Sequence, residues 1–366
     1  MLVTLFDPDT LLHETVELLG SKLIPALESP ERVKAILKAL HSSPYEVRSK
    51  QTTDISDDIL SSQILKLATQ THDNGYLDHL QTVYTDWLSA GLIGPNESVL
   101  PECFRLISSV EKPIRPPKDL FARAGYYAFD MSTGIMAQSY RAMVASAYLA
   151  SWGAEILLSA PYVATPLYPT SVFALCRPPG HHCDGKQAGG YCYINNAAVA
   201  VSMWRSKHPE AKVGILDLDF HHGNGTQEIF YRDPNVLYVS IHGEDEFPYY
   251  TGAEDETGLG DAQGMNVNLP LKPGSLVGEY LGKLKYGLEK LTDYGPEFLI
   301  VSLGFDTFHL DPLGSFQIDT DDYETIARTT RQTLSGIPAL ILLEGGYVIE
   351  HLGNNVLSFL RGWEPS

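Results

Sequence analysis

The chain has 366 residues, 44% of them hydrophobic, and its 45 acidic and 26 basic side chains give a formal net charge of −19. Such a composition supports a large core and excludes a disordered chain, and the acidic field repels nucleic-acid phosphates while favouring small cationic ligands. Cys103, Cys176, Cys183 and Cys192 are too few for a disulfide framework, no apolar run approaches the roughly 18 residues of a membrane span, and the start lacks the basic region and apolar core of a secretion signal. A soluble cytoplasmic protein with neither nucleic-acid nor membrane partners is predicted.

In chain order, β-rich runs at 2–6, 171–176, 213–218, 236–242, 298–303 and 338–343 alternate with helical patterns near 30–41, 134–152, 195–206, 275–292, 321–335 and 350–361. This alternation predicts an α/β fold with a parallel sheet covered by helices on both faces. The stretch 92–127 differs. Gly and Pro recur there, and Lys112-Pro-Ile-Arg-Pro-Pro-Lys118 favours extended backbone, so a long loop with a functional or interface role is predicted rather than a domain boundary.

The strand-like run Val213 to His221 places Asp217, Asp219 and His221 at alternate positions and hence on one face of an apolar strand. Two carboxylates and an imidazole crowded in an apolar segment repel and desolvate one another, and a bound cation removes that cost. Chemistry-bearing residues also follow three other apolar runs: Cys176-Arg-Pro-Pro-Gly-His-His182, Ser302-Leu-Gly-Phe-Asp306 and Leu343-Glu-Gly-Gly-Tyr347. Ligands of open α/β sheets bind beyond the carboxyl ends of the strands, so the four ends are expected to converge. Asp219, His221 and Asp306 then form a three-ligand site with room for water, suited to zinc and also to manganese or iron(II). Tandem His181 and His182 suit general acid and base work near neutral pH. Asp217 and Asn224 are the candidate partners that orient them. The paired glycines before Tyr347 let its phenol approach a substrate carbonyl; Gly-Gly-Tyr also makes ordinary turns, and the residues alone leave both readings open. Cys183 is read as a plain buried cysteine.

Together, Arg-Pro-Pro-Gly-His-His, Gly-Gly-Tyr-Cys-Tyr-Ile-Asn-Asn, Asp-Leu-Asp-Phe-His-His-Gly-Asn-Gly-Thr-Gln, Ser-Leu-Gly-Phe-Asp-Thr and Glu-Gly-Gly-Tyr resemble the zinc-dependent histone deacetylase superfamily, in order over roughly residues 120–361. The N-terminal third looks most like its bacterial-type acetylpolyamine amidohydrolases. The resemblance implies the arginase/deacetylase fold, one domain over 1–366 with a single mostly parallel eight-stranded sheet. It implies one zinc ion on Asp219, His221 and Asp306, His181 and His182 as the acid/base pair, and Tyr347 polarising the acetyl carbonyl. It further implies structural potassium held by Asp217, Asp219, His221, Ser240 and Ile241, with a second monovalent site near Phe230, Asp233 and Val236. Tyr191 and Phe247 would wall a narrow tunnel, Gly190 would accept the substrate amide hydrogen bond, and Leu313 would lie near the rim.

The activity implied is removal of acetyl groups from small cationic acetylated amines such as acetylpolyamines, with a homodimer formed through 92–127. Acetyl-lysine in peptides or proteins is the alternative substrate. At the loop position that is often acidic in the polyamine branch this chain carries Phe121, with Glu102, Glu111 and Asp119 as the nearby acids. A binuclear manganese ureohydrolase would share the fold, but Gly304 stands two residues before Asp306 where a further metal-binding aspartate is needed. A non-catalytic partner-binding module is disfavoured by the complete set of site residues.

Overall fold

All six apolar runs become strands, and the computed structural model, which describes residues 2–50, 57–105, 115–159 and 169–364, adds four more. In chain order they are β1 (Leu2–Phe6), β2 (Val16–Leu19), β3 (Lys22–Pro25), β4 (Glu46–Ser49), β5 (Ser171–Ala174), β6 (Val213–Asp217), β7 (Val236–Gly243), β8 (Asn266–Leu271), β9 (Phe298–Leu303) and β10 (Ala339–Leu343). Eight of them form one sheet in the order β4-β1-β5-β10-β9-β6-β7-β8, with every neighbouring pair parallel, while β2 and β3 make a separate antiparallel hairpin. The helices are α1 (Pro30–His41), α2 (Asp57–Ala68), α3 (Asn74–Ser89), α4 (Leu120–Tyr126), α5 (Ser139–Leu158), α6 (Asn196–Arg205), α7 (Asn224–Phe230), α8 (Val277–Tyr294), α9 (Asp322–Thr333) and α10 (Ile349–Trp363).

The pleat sorts alternate residues into two cores. On β9, Phe298 and Ile300 face the core filled by Leu149 and Ala154 of α5 and Trp204 of α6. Leu299, Val301 and Leu303 face the core filled by Val33 of α1, Leu284 of α8, Ile326 of α9 and Phe359 of α10. Each buried side chain of this size contributes about 1.5–3 kcal/mol, and a one-residue slip would exchange the two sets, so the register of the central strands is strongly specified. The helices α2 and α3 build a third cluster with residues 183–194.

The elements not anticipated have physical reasons. The strands β4 and β8 are the sheet edges, paired on one side only, and their sequences Glu-Val-Arg-Ser and Asn-Val-Asn-Leu-Pro-Leu lack a continuous apolar run. The helix expected from 134 begins at Ser139, because Ile135 is held in a β-bridge to Val99. Within 92–127 the loop reading fails at α4, whose first turn is capped by Asp119. Among the described residues no helix is long and apolar enough to cross a membrane, and all four cysteines are free.

Buried His72 ties α2 to the segment that leads into α6. Its Nε2 accepts the Asn195 N–H at 3.1 Å while Nδ1 lies 3.2 Å from the Ala68 carbonyl, so the neutral Nδ1–H tautomer fits both partners. Burial pulls its pKa down to about 4, against a weaker upward pull from the Ala68 carbonyl. The folded pKa lies below the unfolded value of about 6.5, so below that pH the unfolded chain takes up a proton that the folded chain refuses. Stability therefore falls with pH from about 6.5 to about 4, by up to about 1.4 kcal/mol per pH unit for this group. Urea unfolding at pH 7 and pH 5 is expected to show a larger loss for the parent than for His72→Gln. Equal losses would remove His72 from the acid sensitivity.

Candidate active site

The carboxyl ends of β5, β10, β9 and β6, neighbours at the middle of the sheet, deliver the candidate residues to one place. One part of the expectation is corrected: β6 ends at Asp217 and does not run on to His221. Side-chain hydrogen bonds take over from the pleat. Asp217 Oδ1 accepts the Asp219 N–H at 3.2 Å, Asp219 Oδ1 accepts the His221 N–H at 2.9 Å, and Asp306 Oδ1 accepts the Phe220 N–H at 2.9 Å. Short acidic side chains that bond backbone two residues onward fold the segment locally. The two-residue spacing thus still brings the three side chains to one site.

Asp219, His221 and Asp306 place ligand atoms within 4.8 Å of one another. His221 Nδ1 lies 3.0 Å from Asp306 Oδ2 and 3.3 Å from Asp219 Oδ1. Burial opposes charge on this imidazole, yet the two carboxylates outweigh it and push its pKa up to about 10. Asp306 is pushed up to about 7 by burial and then by Asp219. Asp219 is held well below the usual carboxylate range, because His181 and His221 outweigh its burial. Two acids and an imidazole buried this closely form a hard-donor set whose negative charge a divalent cation would balance, so the residues fit a zinc-type ion. The backbone is shaped around them: a Cβ on Gly345 would lie 2.2 Å from Asp306 Oδ2, and one on Gly304 would lie 2.0 Å from Asp219 Oδ2. The space at position 304 that a second metal-binding aspartate would need is therefore filled by Asp219.

The tandem histidines stand beside this cluster with ring centres 4.0 Å apart. His181 Nδ1 lies 3.2 Å from Asp217 Oδ2, and His182 Nδ1 lies 2.8 Å from Asn224 Oδ1. Burial disfavours a proton on His181, but Asp219 and Asp217 reverse this and push its pKa up to about 10. His182 is held well below its ordinary value by burial and by the neighbouring His181 and His221. Like groups driven apart in this way take opposite acid and base roles. Glu344, from the turn before Tyr347, accepts the N–H groups of Gly180 and His181 at 2.8 and 3.3 Å and so fixes the histidine loop to β10.

A histone deacetylase domain matches residues 26–363. The chain belongs to the histone deacetylase family. It is 37% identical to acetylpolyamine amidohydrolase 1 of Pseudomonas aeruginosa, over 99% of both chains, and 35% identical to the acetylpolyamine amidohydrolase of Mycoplana ramosa, again over 99% of both. The crystal structure of an acetylpolyamine aminohydrolase from Burkholderia pseudomallei superposes with a TM-score of 0.84 at 32% identity, covering 99% of this chain and 98% of that one.

In this deacetylase-family protein two of the four expected tunnel residues, Phe247 and Gly190, stand against His182, and Tyr191 stands against Tyr347. Phe247 lies edge-on to His182 at 5.0 Å and to His221 at 6.0 Å between ring centres. Its near-parallel partner is Phe129, at 6.1 Å, and not Tyr191. Tyr191 instead stands 5.8 Å from the Tyr347 ring and donates its hydroxyl to buried Glu17 at 2.8 Å. Gly190 has φ +53°, a Cβ there would lie 2.2 Å from the His182 ring, its N–H donates to Asp130 at 2.7 Å, and its carbonyl accepts from the Cys192 thiol at 3.3 Å. Leu313 is half-buried, with its N–H on Asp311. Phe129, Glu17 and Asp130 carried no sequence signal, since each follows an irregular segment and meets the site only through the fold.

The other expected positions are as follows. Ser240 pairs in register with Asp217, with Ile241 next to it on β7, and the Ser240 hydroxyl is 2.8 Å from His242. Phe230, Asp233 and Val236 lie together between α7 and β7, where the Asp233 carboxylate pairs with Arg205 at 2.5 Å. Phe121 stands on α4 with its ring edge-on to Trp87 at 4.8 Å, Asp119 caps that helix, Glu102 is exposed, and Glu111 lies outside the described residues. Cys183 is buried, with its thiol 3.0 Å from the Tyr193 carbonyl, and burial raises its pKa well above the ordinary value.

Proposed function

We propose that the protein hydrolyses the acetyl amide of small N-acetylated primary amines, acetylated diamines or polyamines, to give acetate and the free amine. The observation that carries this reading is the convergence of Asp219, His221 and Asp306 with the Asn224-oriented His182 and the Gly-Gly-Tyr347 turn. Full-length similarity to acetylpolyamine amidohydrolases supports the substrate class. Asp219, His221 and Asp306 would hold one zinc ion, which when bound polarises a carbonyl oxygen and acidifies water.

The chain's own residues do the rest. His182, its Nδ1 proton engaged by Asn224, offers the Nε2 lone pair as the base that takes a proton from water. His181, held protonated by Asp217 and Asp219, gives a proton to the leaving amine. Tyr347 donates a hydrogen bond to the oxygen on which negative charge develops. Gly190 accepts the substrate N–H through its carbonyl, while Phe129, Tyr191 and Phe247 enclose the aliphatic chain and Leu313 meets it at the rim.

In the same reading the chain is one domain that functions in the cytoplasm, holds potassium at the Asp217–Ser240 and Phe230–Val236 positions, and pairs as a homodimer through 92–127. Preference for diamines over acetyl-lysine is tested by kcat/KM of the zinc-loaded protein on N-acetylputrescine and N-acetylcadaverine beside an acetyl-lysine peptide. A preference of at least about 10-fold for the diamines, about 1.4 kcal/mol in transition-state binding, is expected. Preference for the peptide would overturn the substrate assignment.

A further inference from the structure

The turn that carries Tyr347 is held residue by residue. Arg32 donates to the Glu344 and Gly346 carbonyls, the latter at 2.7 Å, and the Gly345 N–H donates to Asp219 Oδ2 at 2.8 Å. The Gly346 carbonyl belongs to the same planar peptide as the Tyr347 N–H, so Arg32 holds one edge of the peptide that carries the tyrosine. Gly346, at φ +114°, is in a region open mainly to glycine, so the orientation of the peptide that follows depends on what holds its two edges. Asp311 holds the opposite edge. Its buried carboxylate accepts the Tyr347 N–H on Oδ2 at 2.7 Å and the Leu313 N–H on Oδ1 at 3.0 Å.

We infer that Asp311 is a positioning residue for the Tyr347 phenol, and that it ties the rim segment around Leu313 to the tyrosine. The hydroxyl stands at the end of a rigid ring, so a small rotation of the peptide that Asp311 holds is magnified at the oxygen. Oxyanion stabilisation requires donors placed to a few tenths of an ångström, which makes it sensitive to that rotation. Arg32 lies 5.1 Å from the centre of the ring and limits it on one side. Its guanidinium holds the carbonyl edge of the Gly346–Tyr347 peptide, and among the described residues the N–H edge is held by Asp311. With the Asp311 carboxyl ionised this is a charge-assisted bond, about twice as strong as one between neutral groups.

The inference rests on the proposed deacetylation and is tested by a double-mutant cycle on N-acetylputrescine with zinc-loaded protein. Asp311→Ala alone is expected to lower kcat by about 10-fold or more with KM changed by less than about 3-fold, because the lost interaction is made in the transition state. In the Tyr347→Phe background the same change is expected to cost less than about 2-fold, since residues that act through one another are not additive. Zinc content per chain is expected to equal that of the parent in all four proteins. Asp311→Asn, which keeps one carbonyl acceptor, should recover part of the loss, and it replaces the alanine variant in the cycle if that variant does not fold. Equal losses in both backgrounds, or no loss with Tyr347 intact, would overturn the positioning role while leaving the deacetylation reading in place. A parent protein inactive on acetylated amines would overturn both.

Discussion

Asp306→Asn is expected to lower kcat/KM on acetylated diamines by at least about 10³-fold, about 4 kcal/mol of transition-state stabilisation, and to abolish stoichiometric zinc. The same variant, stripped of metal, is expected to melt no lower than the metal-free parent. Both follow from the environment of one carboxylate. Asp306 Oδ2 lies 3.0 Å from His221, and the group is buried beside Asp219, which with desolvation pushes its pKa up to about 7. Without a cation that carboxylate opposes folding, and with one it is a ligand. Asparagine keeps an oxygen for the Phe220 N–H, so the cost of leaving that buried donor unpaired, about 1–3 kcal/mol, is avoided. Sites that bind tightly are commonly strained when empty. Zinc content by mass spectrometry and melting in chelator separate the two effects. An Asp306→Asn protein that holds a full equivalent of zinc would remove Asp306 from the ligand set. One that melts markedly lower in chelator would show that the crowding is relieved by something other than the cation.

How far the residues could be read in advance depended on whether their information was local. Asp219 and His221 were legible because their spacing from Asp217 brings them to one site, although the reason differs from the one anticipated. The pleat ends at Asp217, and acidic side chains bonded to backbone N–H groups maintain the geometry beyond it. His181, His182 and Tyr347 were legible because each follows an apolar strand, and a parallel sheet collects its strand ends at one edge. The two cores could be anticipated in outline, since strands buried on both faces must be continuously apolar. The edge strands β4 and β8 carry no such constraint on their unpaired side, and they went unread. Long-range polar contacts were illegible for a different reason. Glu17 meets Tyr191 across 174 positions, and Asp311 meets Tyr347 across 36. No local pattern distinguishes a carboxylate bound to a distant N–H or hydroxyl from one exposed to water.

The assignment of His182 as base makes the second large prediction. Its Nδ1 faces the Asn224 oxygen at 2.8 Å, which selects the tautomer carrying the proton on Nδ1 and leaves Nε2 with a lone pair. Burial and then the protonated His181 beside it hold its pKa well below the ordinary value, so it is neutral at physiological pH and competent as a base. His182→Ala is accordingly expected to lower kcat by about 10²–10⁴-fold with zinc still at one per chain, because the side chain is no ligand. Asn224→Ala is expected to fall short of that, at about 10–100-fold, since the imidazole remains but its tautomer and orientation are no longer fixed. Steady-state kinetics of the two variants, with zinc content measured on the same preparations, tests the order. If His182→Ala keeps more than about a tenth of the parent kcat, well short of a general base's usual contribution, proton abstraction passes to His181. The low pKa of His182 would then be a consequence of burial beside protonated His181 and not a property the reaction uses.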